Sequence, residues 1–122
     1  MERKTLLGKL IRPINEMSNL RDNLTGLQGL TVFASTKMGK HGCRVKVVKG
    51  DRANFTKPHL IFIVQDDPYI NNPEDIKDSK ITAKQIKDIK YWIYQNRVDL
   101  LNFWNRKIEE DEFLDNLDKL DK

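Results

Sequence analysis

The stretch Ile81–Trp104, ITAKQIKDIKYWIYQNRVDLLNFW, constrains the fold more than any other part of this chain. It holds both tryptophans and two of the three tyrosines. Thr82 followed three residues later by Gln85 is the signature of a capping box, in which each side chain satisfies an orphan backbone N–H of the first helical turn. Behind it, Ile86, Ile89, Trp92 and Ile93 recur at helical spacing, while Lys84, Lys87, Asp88 and Lys90 fall mostly on the other side. A second apolar group, Val98, Leu101 and Trp104 with Leu100 and Phe103 beside them, predicts another helical stretch after a break near Asn96. So many large apolar side chains must be buried, and they anchor a core.

What the helices cover is predicted upstream. Leu30–Ser35, LTVFAS, is rich in β-formers. Cys43–Lys49 alternates, with Cys43, Val45 and Val47 on one face and Arg44, Lys46 and Val48 on the other, as a half-buried strand does. Pro58 opens a third strand, HLIFIVQD, apolar on both faces. The links are short, so the strands form an antiparallel meander. Leu6, Leu7, Leu10, Ile14, Met17, Leu20, Leu24 and Leu27 follow spacings of three and four and predict a helical arm before the sheet, with Pro13 opening a second segment. Residues 66–80 contain two prolines and several acids and predict a loop. Phe113, Leu114, Leu117 and Leu120 mark a short amphipathic helix in an acidic tail. The expectation is one α+β domain of 122 residues: a helical arm over 1–28, a meander of about three strands over 30–65 and a helical tail over 81–120. Trp92, Ile93, Leu101 and Trp104 pack that tail on one sheet face.

Composition narrows the setting. No apolar run approaches the roughly 18 residues that span a bilayer, and the N-terminal apolar stretch is broken by Lys9, too short for a signal-peptide core. A single cysteine, Cys43, allows no internal disulfide. These features fit a cytoplasmic protein without a membrane role. Charge is split: residues 1–60 carry 12 Lys/Arg against 4 Asp/Glu, and the remainder carries 10 against 14. A basic half calls for an acidic partner, which is nucleic acid, an acidic protein or the chain's own acidic tail.

The candidate binding residues are Lys37, Lys40, His41, Arg44, Lys46, Lys49, Arg52 and Lys57, which fall within 21 residues with Asp51 as the one acid among them. Alternation sets Arg44 and Lys46 on one sheet face, with Lys37 and Lys40 in the adjoining turn. Such a surface contacts phosphates or acidic side chains. Phe55 is the one aromatic close by in sequence, so no base-stacking platform is evident. His41 and His59 fall near one end of the sheet if their strands pair, with Asp66 and Asp67 at the other, and two histidines with a carboxylate can hold a metal or transfer protons. No HxxxH or HExxH spacing supports this, and a loop histidine beside a strand-edge histidine is the plainer reading. Cys43, on the apolar strand face, reads as a core residue. Nucleophile-elbow, phosphate-loop and dinucleotide motifs do not occur.

Lys57-Pro58-His59-Leu60-Ile61-Phe62 and KYWIYQNRVDLLNFW, with Trp92, Arg97, Leu100, Leu101 and Trp104 in register, resemble a small bacterial domain family of unknown function. Its members carry a PPHFHV strand and a tail of the form KEWLELHREELLENW. The resemblance covers roughly the C-terminal half and implies a compact α+β domain, in a family often encoded beside a small partner in pairs that look like toxin–antitoxin modules. The sequence departs from the family at Ile61 and Asn96, where the family has histidines, so paired-histidine chemistry is not implied here.

The expected function is a small non-enzymatic interaction module that binds a protein partner through its basic strand-and-turn surface, without cofactor or metal. A nucleic-acid binder using the same surface is the alternative, and a metal-dependent enzyme using His41 and His59 is the second. The oligomeric state is left open by the sequence.

Overall fold

The structure is a computed structural model and describes residues 17–37, 41–50 and 58–120. The chain runs through β1 (Met17–Leu20), α1 (Asp22–Thr25), β2 (Leu30–Ser35), β3 (Arg44–Lys49), β4 (His59–Ile63) and β5 (Tyr69–Ile70). A 3-10 turn at Pro73–Asp75 leads into α2 (Ile76–Ser79), α3 (Ala83–Gln95), α4 (Arg97–Trp104) and α5 (Glu110–Asn116). The class is α+β, as expected, but the sheet has five strands in the order β1-β2-β3-β4-β5, each antiparallel to the next.

Two of those strands correct the sequence reading. Met17–Leu20, expected in the helical arm, pairs with β2 in the register Met17↔Ser35 to Leu20↔Val32. The arm's earlier positions, 5–16, lie outside the described residues. Residues 66–80, expected as loop, contain β5, the 3-10 turn and α2.

Strand alternation gives the sheet two unlike faces. Leu20, Leu30, Val32, Ala34, Val45, Val47, Leu60 and Phe62 share the first face and are buried. They form one cluster with Ile81, Ile89, Trp92, Ile93, Leu100, Phe103, Trp104 and Phe113 from the helical half. The capping box forms as predicted: the Thr82 hydroxyl accepts from the Gln85 N–H, and Gln85 Oε1 accepts from the Thr82 N–H. The helix breaks at Asn96, and after it the buried set differs from the expected one. Leu100, Phe103 and Trp104 are buried, Leu101 is half-buried, and Val98 is 61% exposed. The Phe103 ring stacks on Phe113, with centroids 4.4 Å apart, and so joins α4 to α5.

Beyond α5 the chain turns extended at Leu117 and runs back along α3. Three side chains fasten its backbone. Trp92 Nε1 and Asn96 Nδ2 both donate to the Asp118 carbonyl, at 3.1 and 3.0 Å, and Gln95 Nε2 donates to that of Lys119 at 2.8 Å. The Leu120 N–H then donates to the Thr25 carbonyl at 2.7 Å. Residues 117–120 are therefore a strap that ties the helices to α1.

The β5 side of the sheet is closed differently. Asn72 is buried, and its Oδ1 accepts from the Ile61 N–H while its Nδ2 donates to the His59 carbonyl. A side-chain amide thus takes the place of the next peptide group on β4, and Nδ2 also donates to Asp75.

Candidate functional site

The second sheet face carries none of the residues of the core cluster. Its rows follow from the register. Arg44 pairs with Ile63 and Ile63 with Tyr69; Asn19 pairs with Phe33, Phe33 with Lys46, and Lys46 with Ile61. Arg44, Lys46, Ile61 and Ile63 are half-buried, while Met17 and Tyr69 are exposed. Thr31, Phe33 and Val48 on this face are buried, and beside them it presents two half-buried cations, aliphatic side chains and one open aromatic ring.

The basic residues expected to act together are divided by this geometry. Arg44 and Lys46 share the second face, as alternation predicts, and His41 stands beside them in the turn before β3. Lys37, just after β2, is exposed, and its N–H donates to the Trp104 carbonyl at 2.8 Å. Lys49 does not belong with them. It pairs with Leu30 on the first face, at the far end of β3, and its Nζ donates to the Lys80 carbonyl at 2.8 Å. Lys40, Arg52 and Lys57 lie outside the described residues.

One corner of the face is hollow. Met17, Phe33, Ser35, His41, Arg44, Lys46 and Trp104 line a space of about 50 Å³. Trp104 is the one lining residue that no local pattern in the sequence places there. It comes from the last turn of α4, belongs to the core cluster, and lines the hollow beside His41. Its ring centroid lies 5.6 Å from that of His41. Both Trp104 and Phe33 are at least 96% buried, so they wall the hollow and do not offer faces for stacking.

Arg44 and Lys46 form no ion pair with an acid among the described residues, where the pairs present are Lys84–Asp88 and Arg97–Asp66. Among the described residues the acidic tail does not pair with them: α5 sits against α4, and its Glu110 accepts from Ser18 of β1. Among the described residues neither Arg44 nor Lys46 therefore meets an acid.

The paired-histidine expectation is corrected. In the β3–β4 register Arg44 meets Ile63 and Val48 meets His59. His41 precedes Arg44, so the histidines sit at opposite ends of the sheet. The Arg44-to-Val48 span alone is about 13 Å at normal strand rise, and Asp66 lies at the His41 end. Among the described residues no cluster of three His, Cys, Asp or Glu side chains is placed to hold a metal. Cys43 is buried in the core, with its Sγ 3.8 Å from the Leu100 carbonyl, and burial pushes its thiol up to about 12.

The fold and face define an α+β chain with one side of its sheet packed by helices and a cationic, partly apolar other side. No protein-family model matches the chain, and no curated protein or solved structure is significantly similar to it. No helix among the described residues is long and apolar enough to cross a membrane.

Proposed function

We propose that this protein is a non-catalytic binding module that takes an acidic, partly apolar protein segment across its second sheet face. The observation that carries the reading is the pair Arg44 and Lys46, without an acidic partner among the described residues and flanked by Met17, Ile61, Ile63 and Tyr69. An acidic segment meets the two cations, and its apolar residues meet the aliphatic rows on either side. Electrostatic complementarity of this kind sets orientation and association rate, while burial of the aliphatic rows supplies affinity.

Nucleic acid fits the same cations less well. Sequence-tolerant binding of single strands needs exposed rings on which bases stack. On this face Phe33 and Trp104 are buried, and Tyr69 is the one exposed ring among the described residues.

The test is titration of the ¹⁵N-labelled protein with an alternating Glu–Leu decapeptide, read by amide shifts. Saturable shifts along Arg44, Lys46, Ile61, Ile63 and Tyr69 are expected, weakened by salt and by Arg44→Ala with Lys46→Ala. Shifts confined to the helical face, or none, would sink the proposal. A poly-dT oligonucleotide that saturates the face where the peptide does not would replace it with the nucleic-acid reading.

A further inference from the structure

The hollow at the corner of the second face has a more specific chemistry than the face around it. Arg44 and Lys46 are two residues apart on one strand, which sets their backbones about 7 Å apart on the same side. Ser35 on the neighbouring strand contributes a hydroxyl, and His41 a ring nitrogen. The floor is apolar, formed by Phe33 and Trp104, which are nearly inaccessible. Among the described residues no carboxylate lines the space. A cavity needs about 10–15 Å³ of such space to hold one water, so a hollow of about 50 Å³ admits one compact group of a few heavy atoms.

Two fixed positive charges over a dry floor call for two negative charges in one small group. A carboxylate brings one. A phosphoryl group brings between 1.5 and 2 at neutral pH, with three acceptor oxygens for the guanidinium fork, the ammonium and the hydroxyl. We propose that this hollow is a phosphoryl-binding subsite and that the segment taken by the sheet face carries a phosphorylated side chain there. The proposal rests on the binding function proposed above and adds its switch: phosphorylation of the partner turns a weak contact into a firm one. Trp104, which is shared between hollow and core, is a reporter placed at the site.

The experiment titrates the ¹⁵N-labelled chain with inorganic phosphate and with O-phosphoserine, with sodium chloride at matched ionic strength as the control. Saturable shifts of the Trp104 indole and of the amides of Ser35, Arg44 and Lys46 are expected with both phosphates and not with chloride. Arg44→Ala is expected to weaken binding at least tenfold, and Lys49→Ala, on the other face, to leave it within twofold. The Glu–Leu decapeptide and its analogue with a central phosphoserine separate this proposal from the one beneath it. A phosphopeptide bound at least tenfold more tightly supports both. Equal affinity for the two peptides overturns the subsite and leaves the acidic-segment reading standing. Phosphate and phosphoserine saturating the hollow while neither peptide binds supports the subsite and overturns that reading. Chloride reproducing the phosphate shifts overturns the subsite outright.

Discussion

The side chain of Asn96 pairs with the backbone of Asp118 in both directions: its Oδ1 accepts from the Asp118 N–H at 2.8 Å and its Nδ2 donates to the Asp118 carbonyl at 3.0 Å. The same Nδ2 also donates to the Trp92 carbonyl at 3.0 Å. One buried amide therefore closes the end of α3 and holds the strap. Asn96→Ala leaves a strap N–H and two carbonyls without this partner in a site that is 1% exposed. A loss of about 2–4 kcal/mol is expected in urea unfolding. Asn96→Asp is expected to do no better, since it keeps the acceptor and sets a carboxylate against two carbonyls. Stability unchanged by either substitution would show that the strap is not held here.

Gly26 and Gly29 form a matched pair for reading the strap. Both have positive φ, 77° and 75°, so alanine strains either one by about 1 kcal/mol. A Cβ on Gly26 would also come 3.0 Å from the Leu120 nitrogen, whereas one on Gly29 meets nothing within 4 Å. Gly26→Ala should therefore destabilise more than Gly29→Ala and should speed hydrogen exchange at the Leu120 amide. Equal costs and an unaltered Leu120 amide would contradict this.

Asn72 stands in for a strand residue beside β4. Asn72→Ala removes the acceptor of the Ile61 N–H and a donor to the His59 carbonyl. A cost of about 2 kcal/mol is expected, together with faster exchange at the Ile61 amide. Exchange at the Val47 amide, deep in the sheet, should follow global unfolding alone.

Cys43 makes stability fall in alkali. Its thiol is pushed from an ordinary 9.0 up to about 12 by burial, so the folded chain keeps a proton that the unfolded chain releases. The stabilising contribution is complete below pH 9 and is lost as pH rises toward 12. Relative to Cys43→Ala, the wild-type advantage in unfolding free energy should shrink by roughly 1.4 kcal/mol per pH unit over that window. In the native protein at pH 8, alkylation should wait on unfolding. Immediate labelling by iodoacetamide would refute the assignment.

Much of this architecture can be read from local pattern. The Thr82–Gln85 box, the alternation through Cys43–Lys49 and the break at Asn96 are set by neighbours in sequence, and each forms. Met17–Leu20 was not legible, for a physical reason. Of its two inward residues one is the polar Ser18, which is buried and donates to Glu110, 92 residues away, while Met17, Leu20, Leu24 and Leu27 happen to keep helical spacing. β5 is two residues long, too short for any period to show. The two-faced basic strand was legible, and so was the company of Arg44 and Lys46. The hollow was not, because Trp104 reaches it from about 60 positions further along the chain. Lys49 misled because three residues after Lys46 on a strand is the opposite side.

The strap has a consequence for how the molecule comes into being. The meander pairs each strand with its nearest neighbour in sequence, so it can begin to zip as it is synthesised. Its first strand and α1 are fastened by Glu110 and by the Leu120 amide. On a ribosome those two fastenings are also the last to emerge, so the earliest part of the described fold waits for the latest. A nascent chain stopped before residue 110 would hold a sheet with one end still unlatched.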